Sequence, residues 1–162
     1  MAPDLRVSTG WAVALAGAAA LAALAASPPL LGGHAGAWVH HAFSAVCHQV
    51  PERSPHLAGG AIALCHRCSG ILAGLVLGVG LAPLLGGRLL TRVHRSAQGR
   101  WLLAALAPTA VDWALGATGV WANVPASRVS TGLVFGLAAG VVLGANLLHA
   151  RAPSHPQPRF AS

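Results

Sequence analysis

Charged and polar aromatic residues are scarce in this sequence. Its 162 residues include no lysine, no tyrosine and three acidic side chains, so that 8% of the chain is charged and 55% is apolar. A water-soluble domain typically devotes about a quarter of its residues to charge. The composition therefore excludes a soluble globular domain and favours an integral membrane protein.

The positive charge does not indicate a nucleic-acid-binding protein. The formal net charge of +7 comes from arginines that are dispersed around apolar segments, whereas a nucleic-acid surface clusters its basic residues. We expect no nucleic-acid partner and interpret the arginines as loop charges beside the anionic lipid bilayer. No nucleotide-binding, phosphate-loop or serine-hydrolase motif occurs, and the sequence leaves open whether the protein is an enzyme.

Four segments are apolar and long enough to cross a membrane, at about 20 residues per span. They predict one transmembrane domain over residues 1–150, in an all-α polytopic helix bundle. The predicted spans are residues 11–31, 61–85, 101–121 and 129–149.

Two further segments are too polar to span. Residues 37–50 predict a short interfacial helix between the first and second spans, which ends before Pro51 because a residue that precedes proline avoids the α region. The tail at 151–162 is rich in proline and polar residues, which predicts disorder.

The first span has an alternative interpretation as a secretory signal peptide. Ala23-Leu24-Ala25 resembles a small-residue cleavage site. Against cleavage, the residues before the apolar run contain one arginine and one aspartate, which is a weak positive start. We favour a retained helix, and either interpretation leaves the remaining topology unchanged.

The distribution of arginine predicts the orientation. With four spans, seven arginines fall on one side of the membrane, and Arg53, Arg67 and Arg128 fall on the other. The positive-inside rule assigns the arginine-rich side to the cytoplasm. The three cysteines then face the extracytoplasmic side of the cell membrane, where oxidation is permitted.

Glycines recur at four-residue steps in the second and fourth spans. This spacing places them on one helix face, where small residues let two backbones approach closely. Similar sequences precede both runs, which suggests two helical hairpins related by a pseudo-twofold axis; the same faces would also suit a homodimer. The predicted packing residues are Gly70, Gly74, Gly78, Gly132, Gly136 and Gly140, with Gly144 continuing the second run.

The three cysteines and a neighbouring histidine form the strongest candidate site. Cys65 and Cys68 have the three-residue spacing of a Cys-x-x-Cys pair, and Cys47-His48 adds a third sulfur and a ring nitrogen. Three cysteines and one histidine are a familiar tetrahedral ligand set for zinc. Because adjacent residues on a helix point about 100° apart, Cys47 and His48 would need an irregular backbone. Further histidine candidates are His40, His41, His56 and His66.

Two other chemistries use the same sulfurs. Cys65 and Cys68 have the spacing of a thiol-disulfide oxidoreductase, with Cys47 as a relay thiol. Alternatively, a structural disulfide joins Cys47 to Cys65 or Cys68. The sequence leaves these alternatives open beside the metal site.

One acidic residue, Asp112, falls inside a predicted span, where an ionisable side chain usually has a partner or a function. Arg67 and Arg128 begin the second and fourth spans at the same membrane side and are its candidate partners. The alternatives are a structural ion pair and an arginine-rimmed pocket that includes Arg53, has Asp112 at its floor and binds an anionic headgroup or substrate. Candidate hydrogen-bonding residues for that pocket are Asn123, Ser127 and Ser130.

Together these residues resemble a family of small prokaryotic membrane proteins, domain of unknown function 2085. The resemblance covers about residues 47–144 and implies an integral membrane protein with no settled activity. Pro55 and His66 depart from the family pattern, which makes His66 a weaker ligand candidate than His48. The signature positions are Cys47, His48, Gln49, Arg53, Ser54, Cys65, Arg67, Cys68, Gly70, Asp112 and Arg128.

Overall fold

The structure is a computed structural model that describes the backbone of residues 8–89 and 95–149 and the side chains of residues 8–85 and 97–148. The predicted disordered tail, 151–162, lies outside the described residues. The described chain is almost entirely helical, which confirms the predicted all-α class. Its helices are α1 (Thr9–Ala26), α2 (Pro28–Leu31), α3 (Gly33–Ser44), α4 (His66–Leu89), α5 (Arg95–Ala117) and α6 (Pro125–His149).

A short non-helical segment separates α3 from α4. It contains a single 3-10 turn, Pro51–Arg53, followed by the two-residue strands β1 (His56–Leu57) and β2 (Gly60–Ala61). The strands pair antiparallel, with His56 opposite Ala61. The turn between them uses the left-handed region at Ala58 (φ 49°) and Gly59 (φ 83°).

Among the residues that the structure describes, three helices are long and apolar enough to cross a membrane: Thr9–Ala26, His66–Leu85 and Pro125–Leu148. Between 11% and 33% of each window is buried inside the protein, so most of their apolar surface faces outward, as lipid contact requires. Helix α5 has 23 residues but is not among the three, because Arg100, Pro108 and Asp112 lower its hydropathy. The four-span arrangement therefore stays a prediction.

Several predicted boundaries were wrong. The second long helix begins at His66 rather than at residue 61, because residues 56–61 form the hairpin. Helix α3 ends at Ser44 instead of continuing to residue 50, and Gln49 adopts φ 50°, which an α-helix excludes. The first segment is divided after Ala26, just before its two prolines.

Helices α4 and α6 form the centre of the fold and pack backbone against backbone. A Cβ atom added to Gly74 would lie 2.7 Å from the amide nitrogen of Leu137, and one added to Gly136 would lie 2.8 Å from the carbonyl carbon of Ile71. No side chain fits such a gap without backbone movement. The glycines of the four-residue pattern thus lie at the helix contact.

The contact is also reciprocal. A Cβ on Gly78 would lie 2.8 Å from the amide nitrogen of Val141, and a Cβ on Gly140 would lie 2.8 Å from that of Val79. Equivalent positions of two parallel helices meet in this way when a twofold axis runs between them. The arrangement supports a pseudo-twofold relation between α4 and α6.

The other two long helices attach to this pair through polar groups. The Trp11 indole of α1 donates to the carbonyl of Val79 at 2.7 Å. On α5, Thr109 donates to the carbonyl of Thr131 at 2.9 Å, and Asn146 of α6 donates to the Gln98 side chain at 3.1 Å. Such bonds satisfy polar groups that lipid cannot hydrogen-bond, and they fix the outer helices on the α4–α6 pair.

We predict different effects of alanine at two helical glycines. Gly74→Ala should destabilise the protein by about 1–3 kcal/mol, because the added methyl group forces the backbones apart. Gly17→Ala on α1 is the matched control, since its Cβ would meet nothing within 4 Å, and it should leave stability unchanged or raise it slightly. Thermal unfolding in detergent measures both. Equal effects would contradict the glycine contact.

Candidate functional site

Three cysteine thiols converge at one end of the α4–α6 pair. Cys47 lies in the loop after α3, Cys65 directly precedes α4, and Cys68 lies in the first turn of α4. Their sulfur atoms all lie within 4.8 Å of one another, and all three are free thiols. Cys47 is buried at 4% exposure, whereas the other two are half-buried.

The loop after α3 is held against the chain before α4 by Gln49. Its side-chain amide donates to the carbonyl of His40 at 2.7 Å and to that of Ala63 at 2.9 Å. The amide of Ala63 in turn donates to the carbonyl of Ala25, at the end of α1, at 2.9 Å. The cysteines are thus brought together by bonds between three chain segments.

The surroundings favour negative charge on the Cys65 sulfur and supply a hydrogen-bond donor to the sulfur of Cys47. The backbone N–H of Cys65 donates to the Cys47 sulfur at 3.2 Å. The pKa of Cys65 is lowered well below its usual value, chiefly because the Cys68 thiol donates a hydrogen bond to its sulfur. The N-terminus of α4 adds a favourable dipole. Cys65 is therefore the thiol best placed to act as a thiolate.

Among the described side chains, no histidine joins the three-sulfur group. His48 is exposed and lines the cleft beside the sulfurs, and its backbone is non-helical, so the helical restriction on Cys47 and His48 does not apply. His66 and His56 make other contacts, with ring nitrogens 2.7 Å from the carbonyl of Arg53 and 3.1 Å from that of Ser54. His48 stays a predicted ligand.

The buried carboxylate Asp112 pairs with Arg67. Asp112 is 8% exposed and the Arg67 side chain is 20% exposed. The Asn123 amide donates to the main-chain carbonyl of Asp112, and Ser127 lies beside the carboxylate. Of the two arginines that the sequence offered as partners, the structure thus pairs Asp112 with Arg67.

Ser130 takes no part in this arrangement, since its hydroxyl donates to the carbonyl of Ser127 at 3.2 Å.

A cleft of about 600 Å³ joins the cysteines to the arginines. It lies between the loop after α3 and the ends of α4, α5 and α6 that meet there. Trp113 also lines the cleft, although its sequence pattern did not predict a site residue; its place beside Asp112 was a signal. Its side chain is 63% exposed. The polar, charged and aromatic lining residues are Cys47, His48, Gln49, Arg53, Cys65, Arg67, Cys68, Trp113, Asn123 and Arg128.

The family whose sequence profile matches this chain is described as "Predicted membrane protein (DUF2085)", and the match covers residues 47–142. The chain belongs to this family. The matched region begins at Cys47 and includes every lining residue named above, so the cleft of this DUF2085 protein lies within the part that defines the family. The resemblance inferred from the motif is confirmed.

An uncharacterized protein of Methanocaldococcus jannaschii is 32% identical to this chain over 95 residues, which is 58% of each protein. The chain therefore matches less than two thirds of that relative's length. No solved structure matches this DUF2085 protein.

We predict that Arg67 and Asp112 are energetically coupled. Arg67→Gln or Asp112→Asn alone should cost about 3–5 kcal/mol, because each leaves an unpaired buried charge. The double variant should lose less stability than the two single losses together. Thermal unfolding of all three variants in detergent measures the coupling, with Arg100→Gln on the exposed part of α5 as the control. If the double variant loses as much stability as the two single variants together, the ion pair is not energetically coupled.

Proposed function

We propose that this membrane protein binds a zinc ion through Cys47, Cys65 and Cys68. The observation that carries the proposal is the approach of three free thiols, from two separate segments of the chain, to within 4.8 Å. A tetrahedral zinc ion with Zn–S bonds of about 2.3 Å needs sulfurs about 3.8 Å apart. The largest sulfur separation exceeds that spacing by no more than about 1 Å.

The local electrostatics support this proposal. Zinc binds thiolates rather than thiols, and the site stabilises negative sulfur through the N–H of Cys65 and the start of α4. The Gln49 bonds that fix the loop after α3 do not depend on a metal. A preformed arrangement of ligands reduces the ordering that metal binding requires.

Two forms of the zinc site differ in the fourth ligand. His48 follows Cys47 directly and lines the same cleft, so a closed Cys3His site would link the loop after α3 to α4. Without His48, the fourth position would be open to the cleft, as in zinc sites that bind water or substrate. The His48→Ala variant distinguishes these two forms.

The second candidate is thiol-disulfide exchange at Cys65 and Cys68. The observation in its favour is the approach of the Cys65 and Cys68 sulfurs to within 4.8 Å. The lowered pKa of Cys65 supports it, since a thiolate is the attacking species in exchange. Cys47 is close enough to serve as a relay thiol. A passive disulfide that includes Cys47 uses the same proximity without catalysis.

We predict about one zinc ion per chain in the detergent-purified protein, since the three thiolates supply most of a tetrahedral site. Elemental analysis measures it, and a thiol-reactive reagent should label the cysteines only after chelation. Cys47→Ser, Cys65→Ser or Cys68→Ser should each reduce zinc content at least several-fold. His34→Ala, an exposed histidine on α3, is the matched control and should retain the metal.

The same experiment separates the two candidates. Protein without metal that takes up no zinc when reduced would end the zinc proposal. If the Cys68→Ser variant then traps a mixed disulfide on Cys65, thiol-disulfide exchange becomes the supported function in place of zinc binding. A stable disulfide that shows no exchange would indicate a structural link instead.

A further inference from the structure

We propose that the same cleft binds a phosphate group through Arg67 and Arg128, either as the headgroup of a phosphomonoester lipid or as free inorganic phosphate. This goes beyond zinc binding, and it rests on the arginines rather than on the sulfurs.

The charge of the cleft is the first argument. Three guanidinium groups line it, and no acidic side chain does so in the part of the chain that the structure describes. Only Arg67 has an acidic partner among the described residues. Arg53 and Arg128 therefore bring uncompensated positive charge to a concave surface, which attracts anions.

The packing of the helices explains why Arg67 and Arg128 lie together. Arg67 is in the first turn of α4 and Arg128 is in the first turn of α6. The glycine contact runs the two helices in parallel, and a Cβ on Gly132 would lie 3.1 Å from the amide nitrogen of Ile71. Both helix N-termini, with their positive dipole ends, therefore meet at this end of the bundle.

Arg67 is also oriented in advance. Its ion pair uses one terminal nitrogen for Asp112, and its Nε atom is buried without a hydrogen-bond partner among the described residues. A buried donor without an acceptor is unfavourable. Asp112 thus positions the guanidinium through one terminal nitrogen and leaves the other terminal nitrogen of this cleft-lining side chain for an anion, which reduces the ordering cost of binding.

The chemistry of the donors selects phosphate. The guanidinium group matches the oxygen spacing of phosphate and can donate two parallel hydrogen bonds to it. Two arginines also match a doubly charged phosphate ligand better than they match a singly charged carboxylate ligand. The Asn123 side chain adds another polar group to the lining, and the cleft of about 600 Å³ is large enough for a lipid headgroup. The exposed Trp113 offers an apolar neighbour for acyl chains.

Calorimetric titration of the full chain in neutral detergent tests this proposal with two probes, dioctanoyl phosphatidic acid and inorganic phosphate. We expect Arg128→Gln to weaken binding of the preferred probe about tenfold, the effect of one lost charge-assisted bond. Arg128 has no ion pair in the described structure, so its loss should leave folding intact. Arg100→Gln removes the same charge away from the cleft and should bind as the parent does.

The two probes identify the source of the phosphate. Tight binding of phosphatidic acid with weak binding of inorganic phosphate supports a lipid headgroup, and equal binding supports free phosphate. Equal losses of affinity in the Arg128→Gln and Arg100→Gln variants would overturn the proposal, because such losses would reflect net charge alone. Unchanged affinity in the Arg128→Gln variant would also overturn it. Zinc content measured on the same samples keeps failure here distinct from failure of the metal proposal.

Discussion

The backbone contact between α4 and α6 is the interaction on which the rest of the structure depends. Dispersion forces and close packing must hold helices together in lipid, where the hydrophobic effect between them is lost. Glycine permits that contact, and its four-residue spacing keeps it continuous over several turns. Because the helices are parallel, their N-termini lie side by side. This placement brings Arg67, Cys68 and Arg128 to the same end of the bundle. The cleft is therefore a consequence of the glycine pattern.

Polar bonds then fix what the glycine contact leaves free. Asp112 links α5 to α4 through Arg67, and Thr109 links α5 to α6. Gln49 fixes the loop after α3, which brings Cys47 to Cys65 and Cys68. The membrane interior offers no water to these polar groups, so each needs a partner within the protein. Losing one such bond therefore affects the shape of the cleft as well as local stability.

The sequence predicted those features that depend on composition and periodicity. Apolar length predicted four spans, and three of them coincide with the candidate spans among the described helices. The Asp112 charge in an apolar segment pointed to an arginine. Hydropathy could not locate the start of α4 at His66, since residues 61–65 directly before it are all apolar. The role of Gln49 was also hidden, because it depends on carbonyl groups of His40 and Ala63 that only the fold brings together. For the same reason, spacing alone left the choice between His48 and other ligands open.

The two proposals for the cleft are electrostatically compatible. Three thiolates and a zinc dication sum to one net negative charge, since each cysteine ligand is deprotonated. Arg53 and Arg128 contribute two positive charges to the cleft, whereas the charge of Arg67 is already neutralised by Asp112. The cleft thus keeps a net positive charge when the metal is bound, and an anion is still attracted.

Without the metal, three adjacent thiolates would repel one another, so at least some of the sulfurs take up protons and become neutral thiols. The positive charge of the arginines then remains uncompensated. Anion binding is consequently expected in both states, and this allows the metal and the arginines to be tested separately in one protein.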